Sequence, residues 1–172
     1  MSTIPPAQRN RPIQDLREWL DRVEEIGELV RVTKPVERDE EMSGIGYLLA
    51  KQKPSKAVLF SNTIGFENDK IGMRHLWNVL GPSVRRIAVT LEEHPDTPTV
   101  ELIRRTKDKL KRRTPPREVT AKDAQFFQNT WTGDQIDLTK LPIPKHWPRD
   151  GGRYAGTADC VITKDPETGY LN

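Results

Sequence analysis

Fourteen prolines divide this chain of 172 residues into short segments. That is about 8% proline, against a usual 5%. Proline locks φ and donates no backbone hydrogen bond, so it ends helices and strands rather than extending them. Pro35, Pro54, Pro82, Pro98, the Pro115-Pro116 pair, Pro142 and Pro144 therefore read as element boundaries. Leu, Ile, Val and Phe supply 40 residues. That exceeds the roughly one-fifth share below which disorder becomes the default. The expectation is a soluble, loop-rich globular protein.

Between the prolines, periodicity assigns the elements. Leu16, Trp19, Leu20, Val23 and Ile26 recur at helical spacing. Asp15 and Glu18 have capping-box spacing, and Gly27 stands where a C-terminal cap belongs. Trp19, Leu20 and Val23 are assigned to the core. Residues 28–36 are rich in β-branched types and read as a strand. Asp39 is placed as the cap of a second helix, with Met42, Ile45, Leu48 and Leu49 inward. Gly44 and Gly46 each cost that helix up to about 1 kcal/mol relative to Ala. Residues 57–60 form a short buried strand, followed by a turn at Ser61-Asn62. Residues 71–80 are strand or helix, and 84–91 are of undetermined type. Thr97 caps a further helix with Pro98 at its first position; Val100, Ile103 and Leu110 lie near one face. Residues 119–131 and 154–163 read as strands, 137–144 as an extended connection, and Thr132-Gly133-Asp134 as a turn. Asp165 to Gly169 forms a hairpin turn in which glycine supplies a positive φ. Thr114-Pro115-Pro116 is the candidate domain boundary.

Several classes are excluded. No run of about 18 apolar residues exists to span a membrane. The first eleven residues lack the apolar core of a signal peptide. Cys160 is the single cysteine, so neither an internal disulfide nor a CxxC metal knuckle can form. A cytoplasmic location follows as the expectation. The motifs HExxH, GxGxxG, GxxxxGK[ST] and GxSxG are absent.

Two segments could carry chemistry. Residues 104–117 hold eight Lys or Arg against Asp108, a charge of +7, while the whole chain carries +3. Such a run suits a solvated helix end, where cations favour the helix dipole, a contact between subunits or domains, or a nucleic-acid phosphate patch. It lacks the aromatic residues that base stacking uses. The second segment, Lys140 to Gly156, places Trp147, His146, Asp150 and Arg153 around Gly151-Gly152. Glycines permit close backbone approach to a ligand. The alternative is a Pro/Gly-rich loop with Trp147 tucked against the core.

Taken together, residues 15–32, 133–156 and 161–172 resemble the UbiD family, prenylated-flavin-dependent reversible decarboxylases. The block DLTKLPIP–HWP–DGGRY carries the specific part of the likeness. The resemblance implies an α/β (α+β) fold. Residues 1–118 would form the N-terminal α/β domain, and 119–172 the first strands of a split-barrel-like flavin-binding domain. It implies a carboxy-lyase acting on aromatic, heteroaromatic or α,β-unsaturated carboxylic acids. The implied cofactors are prenylated FMN, a divalent metal such as Mn2+, and K+. Asn172 matches the family's metal-ligating Asn, and Tyr170 matches the position whose backbone carbonyl holds the monovalent ion. Gly151, Gly152 and Arg153 would shape the loop near the cofactor.

The family's catalytic Arg and carboxylates, and its metal-binding His and Glu, lie beyond residue 172. No catalytic residue is assigned within this chain, and His146 precedes the Asn and does not take the metal-binding His role. A polypeptide of these residues alone is expected to be inactive. The resemblance further implies a small carboxylic acid substrate, a flavin prenyltransferase as cofactor supplier and a homo-oligomer in the complete enzyme. The competing readings are a non-enzymatic regulatory or assembly subunit docking on a full-length decarboxylase, and a basic nucleic-acid-binding domain.

Overall fold

The structure is a computed structural model and describes residues 12–67, 72–112, 115, 119–156 and 161–170. Helix α1 spans Leu16–Glu25. The Asp15 carboxylate accepts from the Glu18 N–H, and the Glu18 carboxylate accepts from the Gln14 N–H. Gly27 closes the other end at φ +72°, its N–H donating to Glu24 and that of Glu28 to Val23. Those two bonds are a Schellman motif, which satisfies carbonyls the helix leaves unpaired.

Strand β1 (Leu29–Val32) pairs in parallel with β2 (Ala57–Phe60), and helix α2 (Glu41–Ala50) makes the crossover. Strand β3 (His75–Trp77) adds antiparallel to β2, giving the order β1-β2-β3. The central β2 is buried along its whole length because both faces are covered. Ala57 and Leu59 pack with Trp19, Leu20, Val23 and Val89. Val58 and Phe60 point the other way, to Val36 and Met42. The α/β fold class therefore stands.

Helix α3 (Val84–Thr90) resolves the undetermined segment, capped by the Ser83 hydroxyl accepting from the Arg86 N–H. Helix α4 covers Thr99–Leu110. A buried ion pair ties these parts together. Arg86 donates to Glu28 at 3.0 Å and to the carbonyls of Val79, Leu80 and Ser55. The Ser83 hydroxyl donates to the same Glu28 carboxylate. Buried charges persist only when paired in this way.

Several expectations are corrected. Leu16 and Leu48 are exposed. Asp39 does not cap α2: Glu40 occupies the cap position and makes no side-chain bond there. The turn after β2 falls at Ile64-Gly65, because Ser61 N–H and Asn62 C=O still bond to Val32 and Val36. Thr97 donates its hydroxyl to the His94 carbonyl rather than capping, and Pro98 holds the cap position of α4. The 119–131 segment is not a strand; it contains a 3-10 turn at Gln125–Gln128. The 137–144 connection begins with a 3-10 turn, Leu138–Lys140, capped by Asp137. Residues 154–156 and 161–163 carry no strand pairing, and 157–160 lie outside the described residues.

Candidate functional site

The Lys140–Gly156 segment is fastened to the start of α2. The Arg153 guanidinium grips Asp39 with both arms, at 3.0 and 2.5 Å. Asp39 also accepts the Lys145 N–H at 3.3 Å, and the Glu40 N–H donates to the Lys145 carbonyl at 2.8 Å. The Ser43 hydroxyl, fully buried, lies 2.5 Å from the His146 carbonyl, and Arg38 donates to the Leu141 carbonyl. The hydrogen bonds from Arg153 hold the Asp39 carboxyl below the usual carboxylate range. Within the segment, Trp147 N–H donates to Asp150 and Tyr154 N–H to the Pro144 carbonyl.

Against this loop runs a row of rings. Trp77 stands between His75, at 6.2 Å, and His146, at 4.6 Å, and Tyr154 meets His146 edge-on at 6.0 Å. Beside the row opens a cleft of about 710 Å3 lined by His75, Trp77, Asn78, His146, Tyr154 and Gly156 among others. Burial first, and then the charge of His146, push the His75 imidazole below its ordinary value. His146 Nε2 is buried and makes no hydrogen bond among the described residues. Trp147 is not tucked into the core: it is half exposed and packs edge-on against Tyr47. Gly151 and Gly152 are exposed, and a side chain at either would meet open space. Neither is therefore required for close approach within the described residues.

The predicted hairpin turn is present. Asp165 N–H donates to the Tyr170 carbonyl, Gly169 N–H donates to the Asp165 carbonyl, and Gly169 has φ +72°. The Asp165 carboxylate accepts from the Thr168 and Glu167 N–H groups, which hold it below the usual carboxylate range. The Tyr170 side chain is exposed, and its carbonyl keeps one lone pair beyond the turn hydrogen bond. Asn172 lies outside the described residues. Among the described residues there is no group of three His, Cys, Asp or Glu that could hold a metal.

The basic helix is largely neutralised. Arg104 and Arg105 pair with Glu101, Arg105 and Lys109 with Glu93, and Lys111 with Asp108. Among the described residues, no helix is long and apolar enough to cross a membrane.

Comparison with known proteins places this geometry in a class. Residues 20–106 match the 3-octaprenyl-4-hydroxybenzoate carboxy-lyase N-terminal domain, and residues 117–172 match the Rift-related domain of the same carboxy-lyase. The chain belongs to the UbiD family. An uncharacterised protein of Aquifex aeolicus is 31% identical over 92% of this chain and 34% of its own length. One from Rhodospirillum rubrum is 31% identical over 94% and 32% respectively. The chain thus spans about a third of the length of the curated relatives it matches. Vanillic acid decarboxylase of Sedimentibacter hydroxybenzoicus, in closed form, is 28% identical with a TM-score of 0.80, covering 91% of this chain and 32% of that one. An evolved dimeric form of the UbiD-class enzyme HmfF from Pelotomaculum thermopropionicum, in complex with prFMN, is 26% identical with a TM-score of 0.71 over 91% of this chain and 34% of that one.

Asp39 and the His75–Trp77 pair had no role as site residues in the sequence reading. Asp39 lies 114 positions from Arg153, and no local pattern announces that pairing.

Proposed function

We propose that this chain is the N-terminal part of a reversible decarboxylase of aromatic, heteroaromatic or α,β-unsaturated carboxylic acids that works with prenylated FMN. Residues 1–118 form its N-terminal α/β domain and 119–172 begin its flavin-binding domain. The observation that carries the reading is the likeness to vanillic acid decarboxylase over 91% of the chain at a TM-score of 0.80. The prFMN bound to HmfF supports the cofactor assignment, and the dimeric form of that enzyme supports a homo-oligomer.

What this chain's residues can supply toward the cofactor is limited. Mn2+ and K+ are hard cations that take oxygen donors, and the Tyr170 carbonyl and the Asn172 amide are of that kind. Two donors do not complete a coordination shell, so these residues fit a metal bridge only as part of a larger set. The chain's other contribution is the turn at Asp165–Gly169, closed by the Asp165 N–H on the Tyr170 carbonyl, which sets the backbone just before Asn172 in sequence. When bound, prenylated FMN supplies the electron sink for loss of CO2, while the protein orients and excludes. A flavin prenyltransferase supplies that cofactor, and a cytoplasmic location suits both proteins.

The test is to produce the complete protein together with a flavin prenyltransferase and follow CO2 release from a panel of unsaturated and aromatic acids. Expected are a bound prenylated flavin, turnover of at least one acid, and loss of cofactor retention in Asn172→Ala. A complete protein that binds no flavin and turns over none of the panel sinks the reading.

A further inference from the structure

We propose that Asp39 is a positioning residue: its grip on Arg153, with the turn at Glu40, fixes the 141–156 segment from which the chain runs to the Asp165–Gly169 turn and Asn172. The proposal rests on the decarboxylase reading only for what that segment is positioned to do.

Three observations converge on the clamp. First, six hydrogen bonds join residues 38–43 to residues 141–153, across more than a hundred positions of sequence. A carboxylate gripped by both arms of an arginine is fixed in orientation as well as distance, which a lysine cannot reproduce. Second, Asp39 stands one residue before the cap of α2, yet its carboxylate turns away from the helix to Arg153 and Lys145, and the cap itself makes no side-chain bond. A helix start gives up an ordinary stabilising contact so that this residue can serve the loop. Third, Glu40 holds φ at +68°, the left-handed region that side chains avoid. In that conformation its N–H meets the Lys145 carbonyl at 2.8 Å. Strain of this kind persists where the surroundings over-determine it.

The clamp has a direction. Residues 38–43 belong to the unit built on β1, α2 and β2, whose packing is set by Val36, Met42, Val58 and Phe60. The 141–156 segment contributes no member to either hydrophobic cluster. Buried Pro142 and Pro144 and the ring contacts of His146 with Trp77 and Trp147 with Tyr47 share in its placement. The six hydrogen bonds, however, fix its register on the start of α2, and Asp39 makes three of them. Loosening it frees the loop without dismantling the core.

The experiment compares the complete wild-type protein with Asp39→Asn, Arg153→Lys and the charge swap Asp39→Arg/Arg153→Asp. Amide hydrogen exchange is read at 141–156 and at β1 and β2, alongside kcat and KM with the prenylated flavin bound. In Asp39→Asn and Arg153→Lys, exchange at 141–156 is expected to rise about tenfold while β1 and β2 keep wild-type protection. Turnover should fall about tenfold with KM within about twofold, as misplacement without loss of binding requires. The swap should restore part of both. Wild-type exchange at 141–156 in Asp39→Asn overturns the proposal. Equal loss of protection in β1 and β2 also overturns it, because Asp39 would then be a general stability residue. An inactive wild type sinks the decarboxylase reading instead, and the exchange comparison still decides the clamp.

Discussion

At Gly46 two effects of known size oppose each other. Glycine inside a helix costs about 1 kcal/mol relative to alanine, so Gly46→Ala should stabilise α2 by that amount. A Cβ at this position, however, would stand 2.5 Å from the Trp77 indole. Forcing atoms into a packed contact costs about 1–3 kcal/mol, so the clash is expected to win. Gly46→Ala should lower the urea midpoint, and a raised midpoint would show that Trp77 shifts freely. The same logic of partners governs Arg86. Arg86→Met removes the buried guanidinium paired with the Glu28 carboxylate, leaving it the Ser83 hydroxyl and Arg85 at 3.7 Å, and should cost about 3 kcal/mol. Replacing both residues by Met recovers only part of that loss, because the carbonyls of Val79, Leu80 and Ser55 lose their donor too. Urea unfolding of the two variants checks the pair, and a double variant at wild-type stability would contradict the network.

Among the elements, those whose determinants are local were legible. Helix α1 carries its cap, its apolar stripe and its terminal glycine within thirteen residues, and β2 is a continuous apolar run. The strand expected at 119–131, and the described ends of the one expected at 154–163, are not strands for a different reason. Alternating residue types report what suits a pleated surface, but a strand exists only when another backbone takes its hydrogen bonds, which no window of sequence reveals. Helix α4 shows the same limit at finer grain. Val100, Ile103 and Leu110 are exposed, and Leu102 is the buried residue. Leu102→Ala should therefore cost about 2–5 kcal/mol and Ile103→Ala less than about 0.5, read by thermal unfolding. Strand β3 adds a pH dependence. Burial holds the folded-state pKa of His75 below the ordinary 6.5, so the unfolded chain binds this proton more readily. The stabilising effect of a neutral His75 is complete above pH 6.5 and is lost as pH falls through the lower folded value. Between pH 7.5 and 5 the urea midpoint should fall, and His75→Phe should flatten that slope. An unchanged slope in His75→Phe would place the titration elsewhere.

For the molecule as a whole, charge is where sequence and structure part most clearly. Tyr170 and Asn172 came from resemblance, since an exposed Tyr and a nearby Asn announce nothing by residue type. Asp39 escaped because its partner is remote, and a +7 segment overstated its own field because a sequence count does not see Glu93 reaching across to Arg105 and Lys109. Of the eight cations in 104–117, Arg104, Arg105, Lys109 and Lys111 are engaged by carboxylates. Eight free cations would give a slope of log Kobs on log salt near −7, from about −0.9 per neutralised phosphate. At most four remain for phosphates, so titration of a fluorescent duplex with this chain should give a slope no steeper than about −4. Affinity should stay in the weak, non-specific range of about 10⁻⁴–10⁻⁶ M at physiological salt. Glu101→Gln, which releases Arg104 and its share of Arg105, should steepen that slope by about one to two. A wild-type slope near −7 would mean that the carboxylates yield to phosphate, and would return nucleic acid to the functions this chain could serve.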